Sequence, residues 1–245
     1  MRIFRNCKQL IQELPREVFT RGQTVFDKSV QGKIVTQGDG YEQKELFGMS
    51  YMINSFDDKD EMLEIARKLF NKEHLTPEVA KQWFWDMIHN PTTKETWFDM
   101  TKYTKDYFEK FCNENNTGTS AYGYGERIIP QLDSLLTRLR GNLYARGAYI
   151  AIHDNKDIHR IGRRIPCTLS YGFAVRKTLE GDKMNMFLHM RSQDLVNFMT
   201  LDLYKAILFL EYVAKELNVK TGKLIVYVDS LHAYFKDVPD KSITW

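Results

Sequence analysis

Residues 165–194 read IPCTLSYGFAVRKTLEGDKMNMFLHMRSQD. Within this stretch Met184, Met186, Leu188 and Met190 alternate with Asn185, Phe187, His189 and Arg191. That period of two puts apolar side chains on one face of a strand and polar ones on the other. Arg191 therefore shares a face with polar groups, opposite the methionines. Two more β-prone runs precede it, AYIAIH from Ala148 and SYGFAVR from Ser170, and KLIVYV from Lys223 is a further strand. Between them Leu203, Ile207, Leu210, Ala214 and Leu217 recur at spacings of four and three, which predicts a buried helix closed by Asn218 and Gly222.

Toward the N-terminus the period changes to that of a helix. Met62, Leu63, Ile65, Ala66, Leu69 and Phe70 form one apolar stripe. Thr76-Pro77-Glu78 then reads as an N-cap and first turn for a helix through Val79, Trp83, Phe84 and Ile88, stopped by Asn90-Pro91. The aromatic-rich segment 94–112 reads as more helix, 113–125 as a surface loop, and Leu132, Leu135, Leu136 and Leu139 as another helical stripe. Helices ahead of a strand-rich second half predict an α+β fold, a mixed and mainly antiparallel sheet flanked by helices, in a single domain over residues 1–245.

Composition narrows the function. The chain has 245 residues with 43% hydrophobic and 13% aromatic residues, enough for a sizeable core and unlike a disordered or fibrous chain. A net charge of +3, from 35 basic against 32 acidic residues scattered along the chain, gives no nucleic-acid footprint. Cys7, Cys112 and Cys167 are an odd number without metal-ligand spacing, so neither a disulfide framework nor a metal site is expected, and a reducing cytoplasm suits them. The N-terminal MRIFRNCKQLIQELP carries no secretory pattern, and the longest apolar run, near residues 206–214, is too short to span a bilayer.

Several side chains could carry chemistry. Cys167 follows a proline and is either a small buried hydrophobe or a nucleophile; Arg163 and Arg164 just before it would favour the thiolate. Arg191-Ser192 could clamp a phosphate through a guanidinium fork and a hydroxyl, or Arg191 could be spent in a salt bridge. Asp194 and Asp202 could equally cap turns or a helix N-terminus. His232 and Tyr234, two apart in a strand-like run, share a face.

The order of these pieces is informative. Pro166-Cys167-Thr168, Phe173-Ala174-Val175, Arg191-Ser192-Gln193-Asp194 and Ser230-Leu231-His232-Ala233-Tyr234 together resemble the thymidylate synthase and deoxycytidylate hydroxymethylase superfamily. Tyr124-Gly125-Glu126-Arg127-Ile128 and Ala145-Arg146-Gly147 look like its Tyr-Gly loop and arginine segment, with a weaker echo at Glu45-Leu46-Phe47-Gly48. The resemblance implies one-carbon transfer to C5 of a pyrimidine mononucleotide from 5,10-methylenetetrahydrofolate. Cys167 would add to C6, with Tyr124 and Asp194 beside it as catalytic residues. It also implies a homodimer: Arg191, Ser192 and an early arginine, Arg21, would hold the phosphate, joined by Arg146 reaching across from the partner subunit. His232 and Tyr234 would bind the sugar hydroxyl.

Asp202 stands where thymidylate synthases carry a uracil-reading Asn, and hydroxymethylases resemble this chain in having Asp. A carboxyl made neutral by burial can donate to N3 of cytosine and accept from its N4 amino group. The leading expectation is thus hydroxymethylation of dCMP or CMP, water quenching the intermediate. Thymidylate synthesis from dUMP is one alternative. A non-catalytic nucleotide-binding homologue is another, because the family Glu before the Trp-aromatic pair is missing from Ala80-Lys81-Gln82-Trp83-Phe84, with Glu78, Asp58 and Glu95 as substitutes. The chain also ends eleven residues past Tyr234, without the tail that closes over folate in relatives, so a different one-carbon donor is a further reading.

Overall fold

The structure, a computed structural model, describes residues 1–27, 29–30, 33–34, 36–38, 40–89, 124–158 and 165–238. In chain order it contains β1 (Arg2–Phe4), α1 (Cys7–Arg21), β2 (Gln23–Val25), β3 (Ser29–Val30), β4 (Lys33–Ile34), β5 (Gln43–Ile53), α2 (Lys59–Phe70) and α3 (Pro77–His89). It continues with α4 (Tyr124–Gly141), β6 (Ala148–Ala151), α5 (Asn155–Ile158), β7 (Thr168–Thr178), β8 (Gly181–Asp194), α6 (Met199–Glu216), β9 (Lys220–Tyr234) and a 3-10 turn at Phe235–Asp237.

The main sheet runs β1-β5-β9-β8-β7-β6, with β2 also on β5. Among the described strands of this sheet, β1 with β5 and β8 with β9 are parallel and the other pairings are antiparallel, the mixed and mainly antiparallel sheet that the sequence predicts. A parallel neighbour needs a crossover, and α6 provides it between β8 and β9. The methionine face of β8 is fully buried, and Phe209 of α6 meets Tyr171 and Phe173 of β7 edge-on at 5.3 and 5.2 Å. Each large apolar side chain so buried contributes about 1.5–3 kcal/mol. On the opposite face of the sheet, across the row Tyr149, Gly172, Phe187 and the adjoining row of His189 and Tyr227, Tyr149 and Tyr227 remain 56% and 39% exposed.

The helices that frame the site are tied by polar caps. Asn6 Oδ1 accepts from the Gln9 amide, and Asp58, at the N-cap of α2, accepts from the Cys7 and Lys8 amides at 3.0 and 2.9 Å. One carboxylate thus satisfies two orphan donors of α1 and holds α1 against α2. Thr76 Oγ1 accepts from Val79 at the start of α3, as its sequence predicts. Arg127 of α4 grips Asp157 through two hydrogen bonds of 2.5 and 2.8 Å and also donates to the Ile152 carbonyl, fixing α4 to the end of β6.

Three sequence expectations are corrected. Tyr124 and Gly125, read as the end of a loop, open α4. Asn218, in the left-handed region at φ 52°, does end α6, but Gly222 belongs to β9, where a Cβ would lie 2.6 Å from Asn185 Oδ1 and 2.8 Å from the Met184 carbonyl. The third is β5, an 11-residue strand beside β9 that the helical reading of the first half misses. Its burial does not alternate: Tyr51, Met52 and Ile53 are all buried, and Gly48 at φ +67° interrupts the run, so the period-two signal is absent. The proposed helix at 94–112, the loop at 113–123 and the Asn90-Pro91 stop lie outside the described residues. No helix among the described residues is long and apolar enough to cross a membrane, and no group of three His, Cys, Asp or Glu there could hold a metal ion.

Candidate active site

Cys167 stands immediately before β7, half-buried, at the point where β7 and β8 meet: the Arg191 amide donates to its carbonyl at 2.9 Å. The Arg191 side chain folds back over the same segment. Nε donates to the Pro166 carbonyl at 2.8 Å, Nη2 donates to the Ile165 carbonyl at 2.9 Å, and Nη2 lies 3.9 Å from the Cys167 sulfur. The fork thus fixes the backbone on which the sulfur is mounted and sets a permanent cation beside it, the setting that favours a thiolate. Arg163 and Arg164, the expected cationic neighbours, lie outside the described residues. Tyr124 closes the other side, its hydroxyl 3.4 Å from both Oγ1 and the amide of Thr168. Burial holds the Tyr124 phenol well above its ordinary range, keeping it protonated.

Asp202 lies in the first turn of α6, and Lys205, one turn later, donates to its Oδ1 at 3.1 Å. Their side chains are 15% and 8% exposed. The ammonium lies 4.9 Å from the ring centre of Tyr124 and 5.7 Å from that of Trp83, so two aromatic faces lie against it. Burial raises the Asp202 carboxyl, with Lys205 opposing; for Lys205 burial is the largest single influence and disfavours the ammonium, but Asp202 together with the neighbouring Tyr171 and Tyr124 outweighs it, so the side chain stays protonated. The sequence-derived set omits Lys205. Its signal was there: a lone cation in the otherwise apolar stretch 203–210, three residues after an acid on the same helix face.

Asp194 ends β8 and caps the following turn: Oδ1 accepts from the Val196 and Asn197 amides at 3.0 Å each, and Oδ2 from Asn197 Nδ2 at 2.8 Å. This is the turn-capping geometry the sequence left open. Ser192 pairs with Ser230 and Asp194 with His232 across the parallel β8–β9 ladder. His232 is buried, its Nδ1 3.4 Å from Ser230 Oγ, which in turn donates to Glu45 of β5. Its ring meets that of Tyr234 edge-on at 5.1 Å. The Tyr234 phenol is held above its ordinary range, by burial first and then by the charges of Asp194 and others, Cys167 among them, so it shares their electrostatic neighbourhood.

The structure thus gathers Cys167, Arg191, Tyr124, Asp194, Asp202, His232 and Tyr234 around the ends of β7, β8 and β9 and the start of α6. Ser192 lies on β8 between Arg191 and Asp194 and so belongs with this group, whereas Arg21 and Arg146 stand apart. Arg21 is 70% exposed and donates to Glu17 at 2.5 Å, though β2, two residues on, pairs with β5 at Glu45. Arg146 is exposed in the turn before β6. Extending the β6–β7 register places it level with Val175, eight residues along from Cys167 and so about 26 Å away at roughly 3.3 Å per residue. It cannot serve the site of its own chain. On α3, Lys81 and Gln82 are exposed, whereas Ala80, Trp83 and Met87 share the inward face. Glu78 is exposed and Asp58 is spent on the α1 cap, so neither supplies the missing carboxylate; Glu95 lies outside the described residues.

This arrangement can be set beside known proteins. A family model described as thymidylate synthase matches residues 38–243. The chain belongs to the thymidylate synthase family. Within that family it is 23% identical over 223 residues to a thymidylate synthase of Streptococcus mutans, spanning 86% of this chain and 77% of that protein. It is 22% identical over 228 residues to the enzyme of Streptococcus gordonii, spanning 88% and 79%. Thermostable thymidylate synthase A of Bacillus subtilis superposes with a TM-score of 0.66 at 13% identity, covering 94% of this chain and 80% of that one. At that identity the superposition speaks for the fold.

Proposed function

We propose that this member of the thymidylate synthase family transfers a one-carbon unit to C5 of a pyrimidine nucleotide, most readily dCMP or CMP, giving a hydroxymethyl product. The observation that carries the reading is the Arg191 fork, which holds the Cys167 segment and lies 3.9 Å from its sulfur. In the reaction the thiolate adds to C6 of the ring, and the electron pair of the C5–C6 double bond moves to C5, the atom that takes the new carbon. Loss of the C5 hydrogen as a proton would expel the amine that carried the carbon and leave an exocyclic methylene at C5. Water adding to that methylene, with loss of its own proton, would supply the hydroxyl, and departure of the sulfur from C6 would restore the double bond and the thiolate. Arg191 and Ser192 serve the phosphate, while His232 and Tyr234 take the sugar hydroxyl; Arg21, exposed and paired with Glu17, has no part in this reading. Tyr124 stays a neutral donor beside the nucleophile, and Asp194 holds the turn that adjoins it.

The family implies 5,10-methylenetetrahydrofolate, which supplies the one-carbon unit at the oxidation level of formaldehyde. The residues suit a flat heteroaromatic group: Trp83 stacks on Phe198 at 6.2 Å and 26°, and His74, its Nε2 2.9 Å from the Asn197 carbonyl, tilts against the same Phe198 ring. Trp83 and Phe198 would hold that group. The open face with Tyr149 and Tyr227 supports a homodimer, and in such a dimer Arg146, too far from its own Cys167, would serve the partner's phosphate.

Asp202 underlies the choice of cytosine. Thymidylate synthesis from dUMP is the second reading, favoured by the names of the relatives. The two separate in one assay: C5-tritiated dCMP, CMP and dUMP are each supplied with methylenetetrahydrofolate while dihydrofolate is followed by absorbance. Tritium release from a cytosine nucleotide without dihydrofolate is expected. Release from dUMP with dihydrofolate supports the second reading, and release from none overturns both.

A further inference from the structure

Lys205 is unaccounted for by the roles above. Burying an ammonium costs several kcal/mol, and a buried ion pair is commonly no more stable than apolar side chains of the same volume. Yet this cation sits in the middle of α6, among the apolar side chains that cover the sheet. Three features place it at the site. It pairs with Asp202 at 3.1 Å, its ammonium lies 4.9 Å from the centre of the Tyr124 ring, and the hydroxyl of that same ring lies 3.4 Å from Thr168, the neighbour of Cys167. It also lies over Trp83, on the α3 face that carries Ala80.

We infer that Lys205 is a specificity-determining residue: with Asp202 it forms a composite donor–acceptor pair that reads the edge of cytosine, Lys205 donating to N3 and the Asp202 carboxylate accepting from the N4 amino group. This rests on the cytidylate reading above and alters its chemistry. A carboxylate beside an ammonium needs no proton of its own, because the donor that N3 requires comes from the neighbouring side chain. Among the described residues, the groups facing the pair are Asp194 from the β8 turn, Tyr124 from α4, Tyr171 from β7 and, toward Asp202, Tyr51 from β5. The three phenols are held above their ordinary range by burial, and Lys205 stays charged, so none of these four groups changes charge near neutrality. With the ammonium holding Asp202 as a carboxylate against the burial that raises it, discrimination between cytosine and uracil is independent of pH in this range. A lone neutral Asp202 would instead lose its preference for cytosine as the pH rose through its titration.

The test is calorimetric titration of dCMP and dUMP between pH 6.5 and 8.5, reading the ratio of the two dissociation constants, in which phosphate titration cancels. For the unaltered protein a ratio favouring dCMP and flat with pH is expected. Lys205→Met should weaken dCMP about 10- to 100-fold at pH 8.5, as expected for loss of a buried charged hydrogen bond, and make the ratio fall with rising pH; Lys205→Arg should restore much of the preference. Should Lys205→Met fail to fold because Asp202 is left unpaired, the neutral double variant Asp202→Asn with Lys205→Met is expected to prefer dUMP. Overturning results are a ratio unmoved by Lys205→Met, a double variant that keeps its preference for dCMP, or an unaltered protein that prefers dUMP. If neither dCMP, CMP, dUMP nor UMP binds, the proposed function falls as well; if dCMP binds and the ratio ignores Lys205, only this inference does.

Discussion

Replacing Arg191 by methionine removes the guanidinium and keeps most of the side-chain bulk, so it isolates the cation at Cys167. The Nη2–sulfur separation is 3.9 Å. At an effective dielectric of about 40, chosen because both groups are partly exposed, unit charges at that distance attract by roughly 2 kcal/mol. That corresponds to a thiolate population about 30-fold larger with the arginine than without it. The carbonyls of Ile165 and Pro166 also lose their donors, at a stability cost of about 1–3 kcal/mol each. The assay is alkylation by iodoacetamide at pH 7, resolved by site with mass spectrometry, alongside a thermal melt. Cys7 is an internal control, since it is fully buried and burial pushes its thiol far up, so it should stay unmodified. Cys167 in Arg191→Met should react about 10- to 30-fold more slowly, Arg191→Lys should fall between, and 1 M salt should narrow the gap. Direction separates the causes, because a merely loosened segment would expose the sulfur and speed the reaction. A folded Arg191→Met protein that alkylates within twofold of the parent, or faster, refutes the reasoning.

Three further outcomes follow from the same structure. Asp157→Asn leaves Arg127 without its buried counter-charge and should cost about 3–5 kcal/mol in urea unfolding; a loss below 1 kcal/mol would show the pair is dispensable. Gly222→Ala drives a Cβ against Asn185 and the Met184 carbonyl and should lower the urea midpoint by the equivalent of about 1–3 kcal/mol with the slope unchanged, an expectation that a neutral substitution contradicts. Burial holds His74 below its ordinary value. The unfolded chain therefore binds a proton that the folded one resists, and stability should fall as pH drops below about 6.5; His74→Gln should flatten that slope, and an unchanged slope would assign it to other groups.

How much of this was legible in the sequence differs by element. β8 was clear because its alternation reports two different environments, core and polar face, and α6 because its apolar positions recur at helical spacing. β5 was not, since a strand with a glycine-interrupted path buries consecutive residues at one end and exposes Phe47 in its middle. Local order carried Cys167, Arg191 and Asp194, which lie along two adjacent strands. It could not carry the contact of Arg191 with the carbonyls of Ile165 and Pro166, 26 and 25 residues away, which depends on the β7–β8 register. Lys205 was hidden for another reason. A lone lysine on a helix reads as a surface residue until the packing of α3 and α4 against it shows that Trp83 and Tyr124 enclose its ammonium.

The central claim is that Cys167 bonds covalently to C6 of a pyrimidine nucleotide. Fluorine at C5 cannot leave as a proton does, so a 5-fluoropyrimidine nucleotide should arrest the reaction with the sulfur still attached. The direct measurement is peptide mass spectrometry after incubation with 5-fluoro-dCMP or 5-fluoro-dUMP and methylenetetrahydrofolate. A nucleotide adduct on the peptide bearing Cys167, absent in Cys167→Ser, is the expected result. A nucleotide that binds by calorimetry yet leaves Cys167 unmodified with both fluorinated bases would contradict the account.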